Sequence, residues 1–111
     1  MICDKPWRYL FNFETCSLED LKNVELNFTH KMSKTSLLHG YCMYFDAHFD
    51  GADNHFTLFT GPNHDPTHWY QTLLFFDEPV GVNREQEISA SISLKANKEQ
   101  AFDTEMKLSI P

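Results

Sequence analysis

The sequence has little of what several common functional sites need. Its four glycines are scattered, and no glycine-rich turn joins a strand to a helix, so a nucleotide or phosphate cradle is excluded. The three cysteines show no CxxC spacing, which argues against a disulfide framework or a zinc site and favours a reducing cytoplasmic or nuclear compartment. No apolar run approaches the roughly 20 residues of a membrane span, and no signal peptide is recognisable.

Basic residues are also scarce. Nine Lys and Arg stand against sixteen Asp and Glu, which gives a formal net charge of −7. Binding to phosphates needs clustered basic side chains, so a nucleic-acid groove is disfavoured. This charge would attract a basic peptide, although a solubilising acidic surface is the simpler explanation.

Aromatic residues and alternating apolar positions are abundant. Ten Phe, four Tyr and two Trp, within a hydrophobic fraction of 41%, predict one compact domain over residues 1–111. Strict alternation of apolar and polar residues predicts strands with one buried face at 41–49, 88–94 and 102–110. Weaker patterns predict strands at 8–14, 24–30, 56–60 and 69–76. The last is apolar on both faces and is expected to lie centrally.

Turn residues separate these segments, at Asp50-Gly51, Gly61-Pro62, Asp65-Pro66 and the polar run 83–86. Ser17 is placed to cap one helical turn over 17–20. Several short strands at regular spacing predict an all-β fold, an antiparallel barrel or sandwich with one short helical turn.

The stretch 61–71 is the candidate functional loop. Thr67, His68 and Trp69 place a hydroxyl, an imidazole and a large aromatic ring on consecutive residues, and imidazole is the side chain type that titrates near neutral pH. Loops fixed by rigid strands are where binding and catalytic groups concentrate. From composition alone, a plain hairpin whose Trp anchors the core and whose His caps the turn is the more economical interpretation.

Metal and nucleophile chemistry are not indicated. His64 and His68 are four residues apart, but Pro66 between them blocks the helix that would align them. The Asp and His residues at 46–55 lack the oxygen spacing of a calcium loop, and no GxSxG elbow is present. We therefore predict no metal site.

The order and spacing of short motifs resemble the C-terminal β-barrel of protein arginine methyltransferases. Thr60-x-Pro62 followed by Thr67-His-Trp-x-Gln71 resembles the loop that this family calls THW. The segment at 39–49, which reads His-Gly-x-x-x-Tyr-Phe-Asp-x-x-Phe, resembles the barrel strand that precedes this loop in the family.

Further motifs narrow the resemblance. Glu87-Ile-Ser-Ala90 resembles the strand that follows the loop in this family, and Glu19-Asp-Leu21 is similar to the family's acidic turn near the middle of the barrel. Tyr70 and the run Ala96-Asn-Lys-x-Gln100 favour the coactivator-associated, or histone-arginine, branch of the type I enzymes.

The resemblance implies a function and a division of labour. The family transfers a methyl group from S-adenosylmethionine to arginine in proteins such as histones. It binds the cofactor on a Rossmann-like domain N-terminal to the barrel, and two glutamates of that domain hold the guanidinium. That domain and the dimerisation arm are not expected within 1–111. The chain alone is therefore expected to bind no cofactor and to be inactive, whereas the full-length protein is expected to use S-adenosylmethionine and to dimerise.

The resemblance also assigns roles within the loop. It implies that His68 is catalytic, forming part of the arginine pocket and orienting a carboxylate or relaying a proton. Trp69 is expected to wall the pocket, with a cation–π contribution. Thr67 is expected to pin the loop through hydrogen bonds to the backbone.

Other residues are carried over as substrate contacts. Tyr70 belongs to the substrate-binding set, and Gln71 is interpreted as structural. Tyr44 and Asp46 are candidates for the peptide groove, although ordinary outward-facing strand residues would look the same. The expected partners are an arginine-rich protein segment, drawn by the acidic charge, and the cofactor domain of the parent enzyme.

Two other functions fit the same residues. The chain would also serve as a non-catalytic relative that regulates or dimerises with an active methyltransferase. A β-sandwich module that grips a peptide or sugar with its Trp/His loop is the alternative from another class.

Overall fold

The computed structural model describes residues 2–3, 5–99 and 101–109, and most of them lie in strands. Over this part of the chain one short helix, α1 (Leu18–Lys22), precedes the strands. The strands are β1 (Asn23–Lys31), β2 (Ser36–Met43), β3 (Asp46–Asp50), β4 (His55–Phe59), β5 (Thr72–Val82), β6 (Glu87–Ala96) and β7 (Phe102–Ser109). They form a three-stranded sheet ordered β1-β6-β7 and the pairs β2-β5 and β3-β4. The prediction of an all-β fold with one short helical turn is confirmed.

The chain divides into two compact units, one made of residues 1–38 with 80–111 and the other of residues 39–79. In the first unit, β1 and β7 each pair antiparallel with β6. The register places Leu26, Ile92 and Met106 in one row, so the alternating apolar positions meet on one face. The other face is polar, and there Ser93 donates a 2.8 Å hydrogen bond to the Glu25 carboxylate. This face-by-face division explains why strict alternation identified β6 and β7 correctly.

Helix α1 is a single capped turn, as expected. The Ser17 hydroxyl accepts from the Asp20 backbone N–H at 3.1 Å, and the Asp20 carboxylate accepts from the Ser17 N–H at 2.9 Å. This reciprocal arrangement satisfies donors that the start of a helix leaves without partners. No helix in the described part of the chain is long and apolar enough to cross a membrane.

Two of the predicted strands differ from the structure near the functional loop. The alternating segment 41–49 is interrupted at Tyr44 and Phe45, because the chain changes partner there: β2 pairs with β5, and β3 pairs with β4. The strand expected at 69–76 begins only at Thr72, because Tyr70 adopts a positive φ of 54° and its N–H bonds back to the Thr67 carbonyl. Its first residues form a turn instead.

The termini show two further differences. Residues 8–14 form no strand, since the Asn12 carbonyl accepts from the N–H groups of Thr15 and Cys16 and turns the chain. Their alternating aromatic rings contact one another instead, as where Tyr9 and Phe11 meet edge-to-face with ring centroids 4.9 Å apart. At the other end, β7 is described to Ser109; Ile110 of the predicted strand and Gln100 of the 96–100 motif lie outside the described residues.

The predicted turns at 50–51 and 83–86 are confirmed. Gly51 donates its N–H to the Asn54 carbonyl at 2.8 Å, which closes the β3–β4 hairpin. The Gln86 N–H bonds to the Asn83 carbonyl, and the Gln86 side chain accepts from the Asn83 N–H. Glycine is required at position 40 for a different reason: a Cβ there would run into the backbone of Leu74.

We expect His30 to make stability depend on pH. Its ring lies edge-on to Phe28, and burial lowers its pKa below the usual 6.5. Because folding disfavours the protonated imidazole, stability is full above pH 6.5 and falls as the pH drops from there through the lower pKa of the folded state. The urea midpoint should therefore fall less in His30→Gln than in the wild type between neutral pH and about pH 5.5.

The matched control is His39→Gln, which replaces an exposed histidine and should retain the wild-type fall. Equal falls in the two variants would contradict the role assigned to His30.

Candidate functional site

The loop 61–71 follows β4 in the second unit, and Thr60 fixes its first end. Thr60 is 1% exposed. Its hydroxyl donates to the Phe45 carbonyl at 2.6 Å and accepts from the Phe45 N–H at 3.1 Å, while its own N–H bonds to the same carbonyl at 3.2 Å. These bonds continue the hairpin beyond its last registered pair, Asp46 with Phe59.

Gln71 closes the second end of the loop. Its side-chain amide donates to the Thr60 carbonyl at 2.8 Å, so the residues that flank the loop are joined directly. Inside it, two turns fold the backbone: the His64 N–H bonds to the Gly61 carbonyl, and the Tyr70 N–H bonds to the Thr67 carbonyl. The bond from Gln71 agrees with the structural role expected for it.

His68 and Trp69 lie side by side. Their ring centroids are 3.9 Å apart with an interplanar angle of 33°. Phe45 meets the indole edge-to-face, at 5.7 Å and 79°. Trp69 remains 50% exposed, and His68 is exposed as well. The indole is thus anchored on one side and accessible on another, an arrangement that suits contact with a planar or cationic ligand.

The hydroxyl of Thr67 does not pin the loop. It is buried and has no hydrogen-bond partner among the described residues, so the expected side-chain bond to the backbone is wrong. Thr67 contributes through its carbonyl, which accepts from Tyr70. Thr60 takes the pinning role because its hydroxyl lies beside both backbone groups of Phe45.

Tyr70, Tyr44 and Asp46 occupy different positions around the loop. Tyr70 is 70% exposed at the positive φ that ends the 67–70 turn. The Tyr44 ring lies against Gly61, where an added Cβ would stand 2.8 Å from Cε2, so it supports the first residue of the loop. Asp46 is half-buried at the start of β3. Tyr44 and Asp46 therefore flank the base of the loop rather than its tip.

Sequence reasoning missed two contacts in this region. It did not foresee the Thr60–Phe45 bonds, although Thr60 stood in the motif that identified the loop. It also missed the stacking of His64 on Phe59, with ring centroids 4.3 Å apart and planes 11° apart. Nothing in the spacing of these two residues indicates that contact.

Charge is distributed unevenly along the chain. Residues 39–79 contain no Lys or Arg, so all nine basic residues lie outside the second unit. The same segment carries six carboxylates: Asp46, Asp50, Asp53, Asp65, Asp77 and Glu78. The unit that holds the loop is therefore purely anionic apart from its histidines, which favours the approach of cationic groups.

Among the described residues, no group of three or more His, Cys, Asp or Glu side chains could hold a metal ion. Cys16 and Cys42 carry free thiols.

Comparison with known proteins identifies the family. Residues 7–110 match the family described as the arginine methyltransferase oligomerization subdomain. The chain belongs to this family. The resemblance found in the motifs around the loop is thereby confirmed.

Similar proteins carry arginine methyltransferase names. The chain is 32% identical over 106 residues to the histone-arginine methyltransferase CARMER of Aedes aegypti, covering 96% of this chain and 18% of that protein. It is 37% identical over 83 residues to protein arginine N-methyltransferase 6 of Xenopus tropicalis, covering 75% and 24%. The chain thus spans about a fifth of the length of the curated relatives it matches.

A solved structure shares the fold. The chain matches the Trypanosoma brucei PRMT1 enzyme-prozyme heterotetrameric complex with AdoHcy, with a TM-score of 0.81 and 21% identity. The match covers 91% of this chain and 32% of the other. The seven strands and single helix described above therefore follow the β-barrel fold of this family.

We expect Trp69→Ala to destabilise the protein by about 2 kcal/mol, roughly half the cost of removing a fully buried aromatic ring, because half of the indole is exposed. Urea denaturation measures the loss. The neighbouring Tyr70→Ala removes a mostly exposed ring and should cost less than about 0.5 kcal/mol. Equal losses would show that Trp69 is not anchored against Phe45.

Proposed function

We propose that this chain is the substrate-facing β-subdomain of a protein arginine N-methyltransferase that acts on proteins such as histones. The main support is the loop itself: in a member of this family, it holds an accessible imidazole and an accessible indole side by side within a segment that has six carboxylates and no Lys or Arg. Because the chain spans about a fifth of its relatives' length, we assign the cofactor site to the rest of the full-length protein.

Positioning is the main task of such an enzyme. A guanidinium nitrogen must be aimed in line at the methyl group, which S-adenosylmethionine supplies when bound to the full-length protein. The guanidinium is almost always protonated, so nearby carboxylates must hold its charge and assist loss of the proton.

His68 and Trp69 are suited to this task. The accessible face of Trp69 offers a wall with cation–π attraction for the arginine side chain. His68 is proposed as the catalytic residue, which orients a carboxylate of the pocket or passes a proton outward. Their rings are in contact, so the position of one constrains the other.

The remaining site residues are proposed to bind substrate. Tyr70 extends the aromatic surface at the exposed end of the turn. Thr67 shapes the same turn through its carbonyl. Tyr44 and Asp46, at the base of the loop, are proposed to contact the flanking peptide, with Asp46 adding to the anionic charge.

Oligomeric assembly and location complete the proposal. The family is described as an oligomerization subdomain, which supports a homodimer of the full-length protein. The free thiols of Cys16 and Cys42 and the histone-arginine names of the relatives support a reducing nuclear or cytoplasmic location.

A non-catalytic partner role is the second candidate. The matched Trypanosoma brucei complex joins an enzyme to a prozyme, which supports this alternative. Methylation of a histone peptide by the purified full-length protein separates the two: turnover supports the enzyme, and cofactor-saturated protein without turnover supports the non-catalytic relative. The family match disfavours an unrelated sugar-binding sandwich.

We expect His68→Ala to lower kcat for an arginine peptide by roughly ten- to a hundredfold, because a group that assists proton transfer is lost. The melting temperature should change little, since His68 is exposed. The matched control is His64→Ala, which removes another histidine of the same loop and should retain most of the turnover. If turnover per folded molecule is unchanged in His68→Ala, the residue is not catalytic.

Salt should weaken binding of arginine-rich peptides to the full-length protein, because it screens the anionic second unit. We expect the measured Kd to rise between about 0.05 and 0.5 M NaCl, over which the Debye length falls severalfold. Asp65→Asn should flatten this dependence, whereas Glu105→Gln, on β7 of the first unit, should not. Binding that is insensitive to salt would contradict steering by this segment.

A further inference from the structure

We propose that Thr60 is a positioning residue for the methyl-transfer site, which places Trp69 and His68 through Phe45 and Gln71. This inference rests on the proposed function of the loop. It assigns the placement to one buried hydroxyl and one side-chain amide outside the Thr67–Trp69 motif.

The burial of Thr60 is the first observation. Among the described residues, Thr60 is the polar residue that is buried as a whole, with 1% of its surface exposed. A buried hydroxyl is unfavourable unless its hydrogen bonds are made. Here the same oxygen donates to the Phe45 carbonyl and accepts from the Phe45 N–H. Both of these hydrogen bonds are made to the backbone of one residue.

The position of Phe45 explains why that matters. It lies between β2 and β3, where strand pairing changes, so neither strand includes its backbone. The Thr60 hydroxyl therefore supplies the partner that its N–H would otherwise lack, and this fixes the residue whose ring meets Trp69 edge-to-face. Serine would retain both bonds, whereas valine, of nearly the same shape, would retain neither.

Gln71 supplies the second support. Its amide bond to the Thr60 carbonyl ties the far end of the loop to the residue that holds Phe45. Among the described residues the Thr67 hydroxyl has no hydrogen-bond partner, so this side chain does not anchor the tip of the loop. The position of Trp69 relative to Phe45 therefore depends on the bonds that meet at Thr60.

Loss of these bonds should affect turnover more than peptide affinity. Misplacement by about 1 Å is enough to cost on the order of a hundredfold in rate, because the reacting atoms are no longer aligned. Attraction of a basic peptide by the anionic segment does not require that alignment. We therefore expect kcat to fall while KM changes little.

The test uses the intact protein labelled with 5-fluorotryptophan. The ¹⁹F signal that disappears in Trp69→Phe reports on Trp69. In Thr60→Val this signal should shift or broaden, and kcat should fall roughly ten- to a hundredfold with KM almost unchanged. In Thr60→Ser both should return to nearly the wild-type values. Thr57→Val is the matched control, because Thr57 bonds to His48 on the same hairpin, and it should leave the signal and kcat unchanged.

Gln71→Met provides a second variant should Thr60→Val fail to fold, and it should move the Trp69 signal in the same way. An unmoved signal in a folded Thr60→Val or Gln71→Met protein overturns the inference, whatever the turnover. So does a Thr60→Ser protein that behaves like Thr60→Val.

The two proposals fail separately. If the Trp69 signal moves in Thr60→Val but turnover is unchanged both there and in His68→Ala, Thr60 positions the loop as inferred. In that case the loop is not part of an active site, and the proposed function is wrong.

Discussion

The hydrogen bonds between the Thr60 hydroxyl and the Phe45 backbone are the constraint on which the candidate site depends. They form directly after the last registered pair of the β3–β4 hairpin, where the chain leaves the strand. The Thr60 side chain adds hydrogen bonds to the hairpin at this point, and these bonds fix the first end of the functional loop. The bond from Gln71 returns the far end of the loop to the same residue. Both ends of this surface loop are therefore held to the β3–β4 hairpin. This fixes the exposed rings of His68 and Trp69 well enough for chemistry that requires alignment.

The anionic charge acts over a longer range than these contacts. Within 39–79 there is no Lys or Arg, so no permanent positive charge in that segment offsets the field of its six carboxylates. Such a field gathers cationic peptides without fixing their geometry. Close contacts with Trp69 and His68 then orient the arginine. Attraction and orientation are thus assigned to different residues, which is why the first should respond to salt and the second to substitutions in the loop.

The sequence predicts some of this structure well, for physical reasons. Alternation identified β6 and β7 because one face of their sheet is buried, and turn residues located the ends of the β3–β4 hairpin. The sequence did not predict the break at residues 44–45 of the alternating segment 41–49, because a change of pairing partner leaves no trace in local periodicity. The Thr60–Phe45 bonds join residues fifteen apart in the chain. The motif located the loop, but only the structure shows that Thr60, and not the Thr67 hydroxyl, holds it.

The most direct test is a crystal structure of the full-length protein with an arginine peptide and S-adenosylhomocysteine. The account predicts that the target guanidinium lies within about 6 Å of the Trp69 ring centroid, with the Thr60–Phe45 and Gln71–Thr60 bonds intact. A peptide arginine bound elsewhere, with the 67–69 loop facing solvent, would contradict it.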